Sequence, residues 1–411
     1  MNVDLFRVID KYAGVPACLF LSALHKAAPS ALCLAPSVPV KRILFVQLSE
    51  MGSPILAYPA MVHCKEKHPD AELFFLIFEQ NRASVDVLSV IPGKNILTIS
   101  IKSAWAFLST LQETVFALRR LSIDTVLDFE LFSRFSALIC GASGAARRAG
   151  FHAFHQEGLY RGSFLTHPVL YNPTQHMTKN FLALAKALEH TGEVPMVKEA
   201  ITGPFPVPSF HPDQRDVDSV RAKILDLCPQ GRAEKLVVVN ADAGPLLPFR
   251  AWPVEHYAEL CRRILDRENA VVALMGLPDA AATNRLVAEG LPRDRVANLT
   301  GKTTFAEMFA LLSIADLLVT ADSGPAHFGA LTHTPSVVLF GPETQLLYAP
   351  IGSEAACLSS GLSCSPCLSA YNHRKTPCKD AVCMRELSVD TVLAAALEKL
   401  GGKSIRETKA S

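Results

Sequence analysis

The stretch NLTGKTTFAEMFALLSIADLLVTADSGPAHFGAL, residues 298–331, decides the fold. Within it the apolar run from Ala315 to Thr320 reads as a buried strand. Asp322-Ser323-Gly324-Pro325-Ala326-His327 follows directly. A carboxylate, a hydroxyl, a flexible glycine and an imidazole therefore sit where a parallel strand ends and a helix begins. A second apolar run, Ser336 to Phe340, ends in Gly341-Pro342-Glu343-Thr344. In open α/β sheets this edge receives ligands, and the free N–H groups of a helix start favour an anion. The competing reading is a simple N-cap, since Asp or Ser before a helix is common for structural reasons alone.

Working outward, short apolar runs alternate with helical stretches from Lys41 onward, the pattern of parallel α/β sheets. Strands are expected at Arg42–Gln47, Glu72–Phe78, Asn95–Ile99 and Thr125–Phe129, with a further short one at Arg147–Phe151. Helices are expected at Ile55–Lys67 and across 174–190. A Pro- and Gly-rich stretch, Gly192 to Pro212, interrupts the pattern. A second set follows at Lys235–Asn240, Ala270–Met275, Arg295–Leu299, Asp316–Thr320 and Ser336–Phe340, with a last helix at Val389–Leu400. The expected division is an extension and linker over 1–40, one Rossmann-like domain over 41–215 and another over 216–411. Two such domains joined by a linker are expected to face one another across a ligand-holding cleft.

The bulk properties agree. A chain of 411 residues holds two domains with real cores. With 49% hydrophobic and 19% charged residues it reads as globular. A formal net charge of +1 gives no field directed at nucleic acid. Eleven cysteines, an odd number spread along the chain, do not form a secreted disulfide framework and point to a reducing cytosol. Val15 to Leu24 is apolar but about half as long as a membrane span. Its flank carries mixed charge, unlike a signal peptide. Residues 1–30 thus form a helical extension that packs on the protein or lies on a membrane surface; Pro29, Pro36 and Pro39 mark the linker after it.

Four strand-end loops line up: Leu48-Ser49-Glu50-Met51-Gly52-Ser53; Asn240 to Gly244 with Phe249-Arg250-Ala251-Trp252-Pro253 behind it; Gly301-Lys302-Thr303-Thr304; and the Asp322 loop. With RILFVQLSEMG, VVVNADAG, RAWPVEHYAEL and VVLFGPET added to the opening stretch, the chain resembles the ADP-heptose:lipopolysaccharide heptosyltransferases, glycosyltransferase family 9, over roughly residues 41–400. The resemblance implies two Rossmann-like domains in the GT-B arrangement. It implies an acceptor on the first domain and a sugar nucleotide on the second. It also implies inverting transfer without a metal or other cofactor, from an ADP-sugar to a lipid-linked glycan. Such work belongs in the cytoplasm, at the inner face of the cytoplasmic membrane.

That chemistry needs a base for the acceptor hydroxyl and positive groups for the leaving diphosphate. By resemblance, Arg250 stands where the family usually has Lys and holds the diphosphate. Asp322 holds sugar or ribose hydroxyls, and Ser323, Gly324, Pro325 and His327 lie by the pyrophosphate. Asn240, Gly301, Lys302 and Thr303 border the nucleotide. For His327 the rival reading is a satisfied helix histidine; for Lys302 it is a solvated side chain. One position departs from the family: Ser53 stands where an aspartate base is usual. Glu50 in the same loop is the nearest carboxylate and the candidate base. A different base, or a non-catalytic binder of sugar nucleotide or glycan, remains the alternative. A sugar-nucleotide epimerase on the same fold is a third reading.

Cys364, Cys367, Cys378 and Cys383, inside a Cys-rich segment over 357–383, have spacing that could hold a structural zinc, with His373 and Cys357 as substitutes. Reduced structural cysteines are the plain alternative. Asp216-Val217-Asp218 matches a metal-binding Asp-x-Asp pattern but reads as a solvated helix start. Arg119, Arg120, Arg134, Arg147, Arg148 and Arg161 either meet an anionic acceptor or are ordinary surface charges.

Overall fold

Two parallel sheets carry the structure, a computed structural model that describes residues 3–28, 33–35, 37–152, 160–190, 197–228, 233–244, 247–352, 355–372 and 374–401. Pro29, Pro36, Gly192 and His373 lie outside the described residues. The chain divides into two compact units, 1–208 and 209–411. The first unit holds β1 (Arg42–Val46), β2 (Glu72–Phe78), β3 (Ile96–Ile99), β4 (Thr125–Asp128), β5 (Arg147–His152) and β6 (His167–Leu170), in the order β3-β2-β1-β4-β5-β6. The second holds β7 (Lys235–Asn240), β8 (Ala270–Met275), β9 (Val296–Asn298), β10 (Leu317–Ala321), β11 (Ser336–Phe340) and β12 (Ala356–Ser359), in the order β12-β11-β10-β7-β8-β9. Every adjacent pair is parallel, for example Val46 beside Asp128 and Thr320 beside Asn240.

These segments are strands because their apolar runs are continuous, which suits a sheet covered on both faces. Ile43 to Val46, Val237 to Val239 and Leu317 to Val319 have no exposed surface. Two edge strands carry no such run. β6 contains Pro168, which an edge strand tolerates because one side of its ladder is unpaired. β12 is only half-buried. Within each order the chain reverses direction once, between β1 and β4 and between β7 and β10. Both reversals open at the carboxyl ends of the strands, where α/β folds bind ligands.

The division between units precedes the expected 215/216. That position falls inside the helix Gln214–Leu227, whose N-cap Asp213 accepts the Arg215 N–H at 2.9 Å. Phe210 already belongs to the second unit: its N–H donates to the Leu331 carbonyl at 2.9 Å and its ring lies 4.6 Å from that of Phe309. Asp218 accepts from Gln214 on the same helix at 2.8 Å, in keeping with a helix-start role for the Asp-x-Asp.

At the N-terminus, helices Val3–Tyr12 and Gly14–Ala27 pack on the helix Arg134–Ala142. Asp10 accepts the Phe135 N–H at 2.8 Å, and the His25 ring meets the Gly141 carbonyl at 3.0 Å. Cys18 packs against Ala137 and Phe164. No described helix is long and apolar enough to cross a membrane.

The basic residues of this unit require a correction. Arg134, Arg148 and Arg161 are buried and serve the interior, so neither an acceptor surface nor an ordinary surface describes them. Arg148 donates to the Phe164 carbonyl at 2.7 Å, and Arg134 to the Tyr160 carbonyl at 2.8 Å. Arg161, fully buried, pairs with the equally buried Asp128 and donates to the carbonyls of Phe151 and Ser133. Removing one partner of such a pair strands a charge in the core. Asp128→Asn is expected to cost about 3–5 kcal/mol, read as a lowered denaturant midpoint; an unchanged midpoint refutes the structural role.

Candidate active site

Asn240 ends β7 with its amide aimed across the switch point. Its Nδ2 reaches the Asp242 carbonyl at 2.9 Å, Thr320 Oγ1 at 3.1 Å and Ser323 Oγ at 3.5 Å. One buried side chain thereby ties the ends of β7 and β10 together. Ser323 occupies the N-cap position of the helix Gly324–Leu331, yet its hydroxyl makes no capping bond. It donates instead to the Ala321 carbonyl at 3.1 Å. The cap reading thus holds for position and not for chemistry, and the positive end of the helix is not covered by that side chain. Pro325 sits in the first turn and His327 is buried on the same helix.

Arg250 reaches this edge from the short turn Pro248–Arg250, which Trp252 anchors. The Trp252 indole is buried and donates to the Leu387 carbonyl at 2.9 Å. Arg250 Nη1 lies 3.3 Å from Asp322 Oδ2. Its Nε is buried and has no partner among the described residues, so one N–H of the guanidinium fork stays available. Burial raises the Asp322 carboxyl and Arg250 lowers it. Glu343, on the loop after β11, joins the pair. Burial first and Asp322 second push its carboxyl up to about 8, against the opposing pull of Arg250. The Arg374 guanidinium stands 3.5 Å from Glu343 Oε1 and donates to Tyr348 Oη at 3.2 Å.

Gly301-Lys302-Thr303 follows β9, at the other end of the same strand-end edge. Gly301 takes φ +67°, where a side chain would be strained, and its N–H donates to Gly276 at 2.9 Å. The Lys302 side chain is exposed, and its carbonyl accepts from Lys223 at 2.8 Å. A capping box of Thr304 and Glu307 then starts the next helix, Phe305–Ile314. Among the described residues no hydrogen bond joins this loop to Arg250 or Asp322. Hydrogen bonds tie Asn240 to Ser323, and Arg250 to Asp322, the residue before Ser323 in the chain.

In the first unit the corresponding switch point carries the Glu50 loop. Ser53 is buried at the start of the helix Ser53–Lys67, and its hydroxyl donates to Glu50 Oε2 at 2.5 Å. That helix begins two residues before the expected Ile55 because Pro54 fits its first turn. Glu130, just beyond β4, accepts the Leu48 N–H at 2.6 Å and the Ser49 N–H at 3.2 Å. Burial raises its carboxyl and those amides lower it. Gln47 Oε1, just before this loop, is buried and has no partner among the described residues.

Glu343, Arg374, Glu130 and Gln47 escaped the sequence reading as site residues. Glu343 stood in a quoted motif, and its environment alone makes it notable. Arg374 had no signal, since it arrives from the Cys-rich segment. That segment is fastened to the loop after β11: Cys367 and Leu368 N–H groups donate to the Pro342 carbonyl at 3.0 and 2.9 Å, and Ser365 Oγ to Gly341 at 2.5 Å. Burial first, then the thiols of Cys367, Cys378 and Cys364, raise that of Cys383. Among the described residues no three side chains form a metal-ligand group, so the zinc expected at these cysteines finds no support.

Two Rossmann-like parallel units, each with its switch point at the carboxyl ends of the strands, give the chain the GT-B fold. The sequence profile of glycosyltransferase family 9 (heptosyltransferase) matches residues 115–376, and the chain belongs to that family. It is 24% identical to lipopolysaccharide heptosyltransferase 3 of Escherichia coli strain K12 over 304 residues, 73% of this chain and 82% of that protein. In fold it is similar to the solved E. coli ADP-heptose lps heptosyltransferase II, with TM-score 0.66 and 18% identity over 87% of this chain and 98% of the other. A solved E. coli heptosyltransferase WaaC with ADP gives TM-score 0.59 and 17% identity over 87% and 99%.

Gly341 is where the Cys-rich segment closes on the donor-side loop. A Cβ there would collide with Met384 Sδ and stand 3.0 Å from Cys383 Sγ. Gly341→Ala is expected to cost about 1–3 kcal/mol by overpacking, measured by chemical denaturation. An unaltered stability would show that the segment yields freely.

Proposed function

We infer that this enzyme transfers a heptose from an ADP-activated donor to a hydroxyl of a lipopolysaccharide core, with inversion at the anomeric carbon. One observation carries the donor half: Arg250 is held by Asp322, with its Nε unpartnered among the described residues. The open N–H is suited to a diphosphate oxygen, and the fixed charge stabilises the ADP that leaves. Asp322 accepts from hydroxyls of the donor. In the displacement the acceptor oxygen bonds to the anomeric carbon, the bond from that carbon to the diphosphate oxygen breaks, and the acceptor proton passes to a base.

We assign that base to Glu50. Ser53 occupies the usual aspartate position, and a serine hydroxyl does not take a proton unaided. Its 2.5 Å bond to Glu50 Oε2 holds the carboxylate at the same helix start. Glu130 supports this by fixing the amides of Leu48 and Ser49. Loss of a general base typically lowers turnover about 10²–10⁴-fold. Glu50→Gln is expected to fall in that range for transfer from ADP-heptose to a lipopolysaccharide-core acceptor, with donor affinity within twofold. Near-normal turnover overturns the assignment, and a wild-type chain that binds ADP-heptose without transferring it overturns the reaction.

The acceptor is lipid-linked in this reading, and the chain meets the membrane through its N-terminal helices. Ile9, Tyr12, Leu19 and Phe20 point outward there, as do Trp105, Leu108 and Phe116 on the helix Ala104–Arg120. An apolar face backed by a packed one suits an interfacial helix. Trp105 is 80% exposed, and the only other tryptophan, Trp252, is buried. Co-sedimentation with anionic phospholipid vesicles and a blue shift of Trp105 emission are expected. Protein that stays in the supernatant with unshifted emission removes this part of the proposal.

A further inference from the structure

Glu343 is unusual among the carboxylates of the second unit. It is 3% exposed, and its Oε1 faces the Arg374 guanidinium at 3.5 Å. Its Oε2 is buried and has no hydrogen-bond partner among the described residues. A buried polar atom left without a partner costs about 1–3 kcal/mol, so its retention beside the candidate donor site points to a ligand. The position is well defined. Thr344 caps the helix Gln345–Tyr348 directly after it, accepting the Leu346 N–H at 3.2 Å. The preceding Gly341 and Pro342 carbonyls are tied to Ser365, Cys367 and Leu368.

We propose that Glu343 is a sugar-reading residue, whose unpartnered Oε2, set beside the Arg250–Asp322 pair, takes a hydroxyl of the donor's sugar. The proposal rests on the donor reading above. Its chemistry differs from that of Asp322. Burial and the Asp322 charge push Glu343 up to about 8, against the pull of Arg250, which keeps its acid form populated near neutral pH. An acid group both donates and accepts, whereas a carboxylate accepts only. Side by side, Asp322 and Glu343 offer a polyhydroxylated ring one acceptor and one donor–acceptor. The diphosphate, which is anionic and accepts hydrogen bonds, belongs to Arg250. The charged groups facing Glu343 are Asp322, Arg250 and Arg374; the Cys357 thiol on β12, raised to about 11 by burial and by Asp322, faces Asp322. Sugar binding through the acid form therefore weakens as pH rises through about 8, when Glu343 loses its proton.

The test compares ADP-heptose with ADP alone, by titration calorimetry on the full chain. Wild type is expected to favour ADP-heptose at pH 7 and to lose that preference by pH 9. Glu343→Ala is expected to weaken ADP-heptose at least tenfold while leaving ADP within twofold. Glu343→Gln keeps the shape and a neutral donor–acceptor, so it is expected to retain the preference within threefold and to carry it unchanged to pH 9. If both variants discriminate like wild type, with its pH dependence intact, the inference falls while the donor reading stands. Equal losses for ADP and ADP-heptose in folded Glu343→Gln overturn it too, because they mark a structural or diphosphate role. Wild type that binds neither ligand overturns the donor reading itself.

Discussion

Two parallel sheets buried on both faces leave polar chemistry one place to go. The strand interiors have no room for an unpaired charge, and the backbone ladder uses up their amides and carbonyls. Side chains able to act on a ligand therefore gather at the carboxyl ends of the strands, where each sheet reverses direction. In the second unit Asn240 joins the two strands on either side of that reversal and Asp322 stands just beyond it. In the first unit Glu130 does the joining, by holding the amides that follow β1. The same geometric solution appears twice with different residues, an amide in one unit and a carboxylate in the other.

Buried charges are treated in two opposite ways. Arg161 has Asp128 and two backbone carbonyls, so the charge is compensated and nothing remains for a ligand. Among the described residues Arg250 has one carboxylate and an unused N–H, and the neighbouring acid Glu343 has an unused oxygen. Burying charge is tolerable only when it is paired and hydrogen-bonded. Incomplete satisfaction is thus the mark that separates the candidate site from the interior ion pair, although both pairs are an arginine with an aspartate.

The strand runs, the helix after Asp322 and the loops around Glu50, Asn240 and Gly301 were legible because each depends on local pattern. Continuous apolar stretches of strand length specify a sheet covered on both sides, and glycine and proline punctuate the ends. The edge strands β6 and β12 were not legible. Edge strands need less burial, and β6 carries a proline that ordinarily argues against a strand. Arg134, Arg148 and Arg161 were misread because the sequence displays charge and conceals burial. Arg148 and Arg161 look like surface residues until their carbonyl and carboxylate partners, far away in the chain, come into place.

The sequence by itself determined the two-unit α/β plan, the family and the positions of Arg250 and Asp322, because motif and periodicity are local properties of the chain. Only the tertiary structure decided how these residues act. It turned the Ser323 hydroxyl away from the helix start, set Ser53 on Glu50 and placed Arg374 against Glu343. Each of those outcomes depends on burial and on which atoms meet across the fold, and solvation and partner geometry come into being only when the chain has packed.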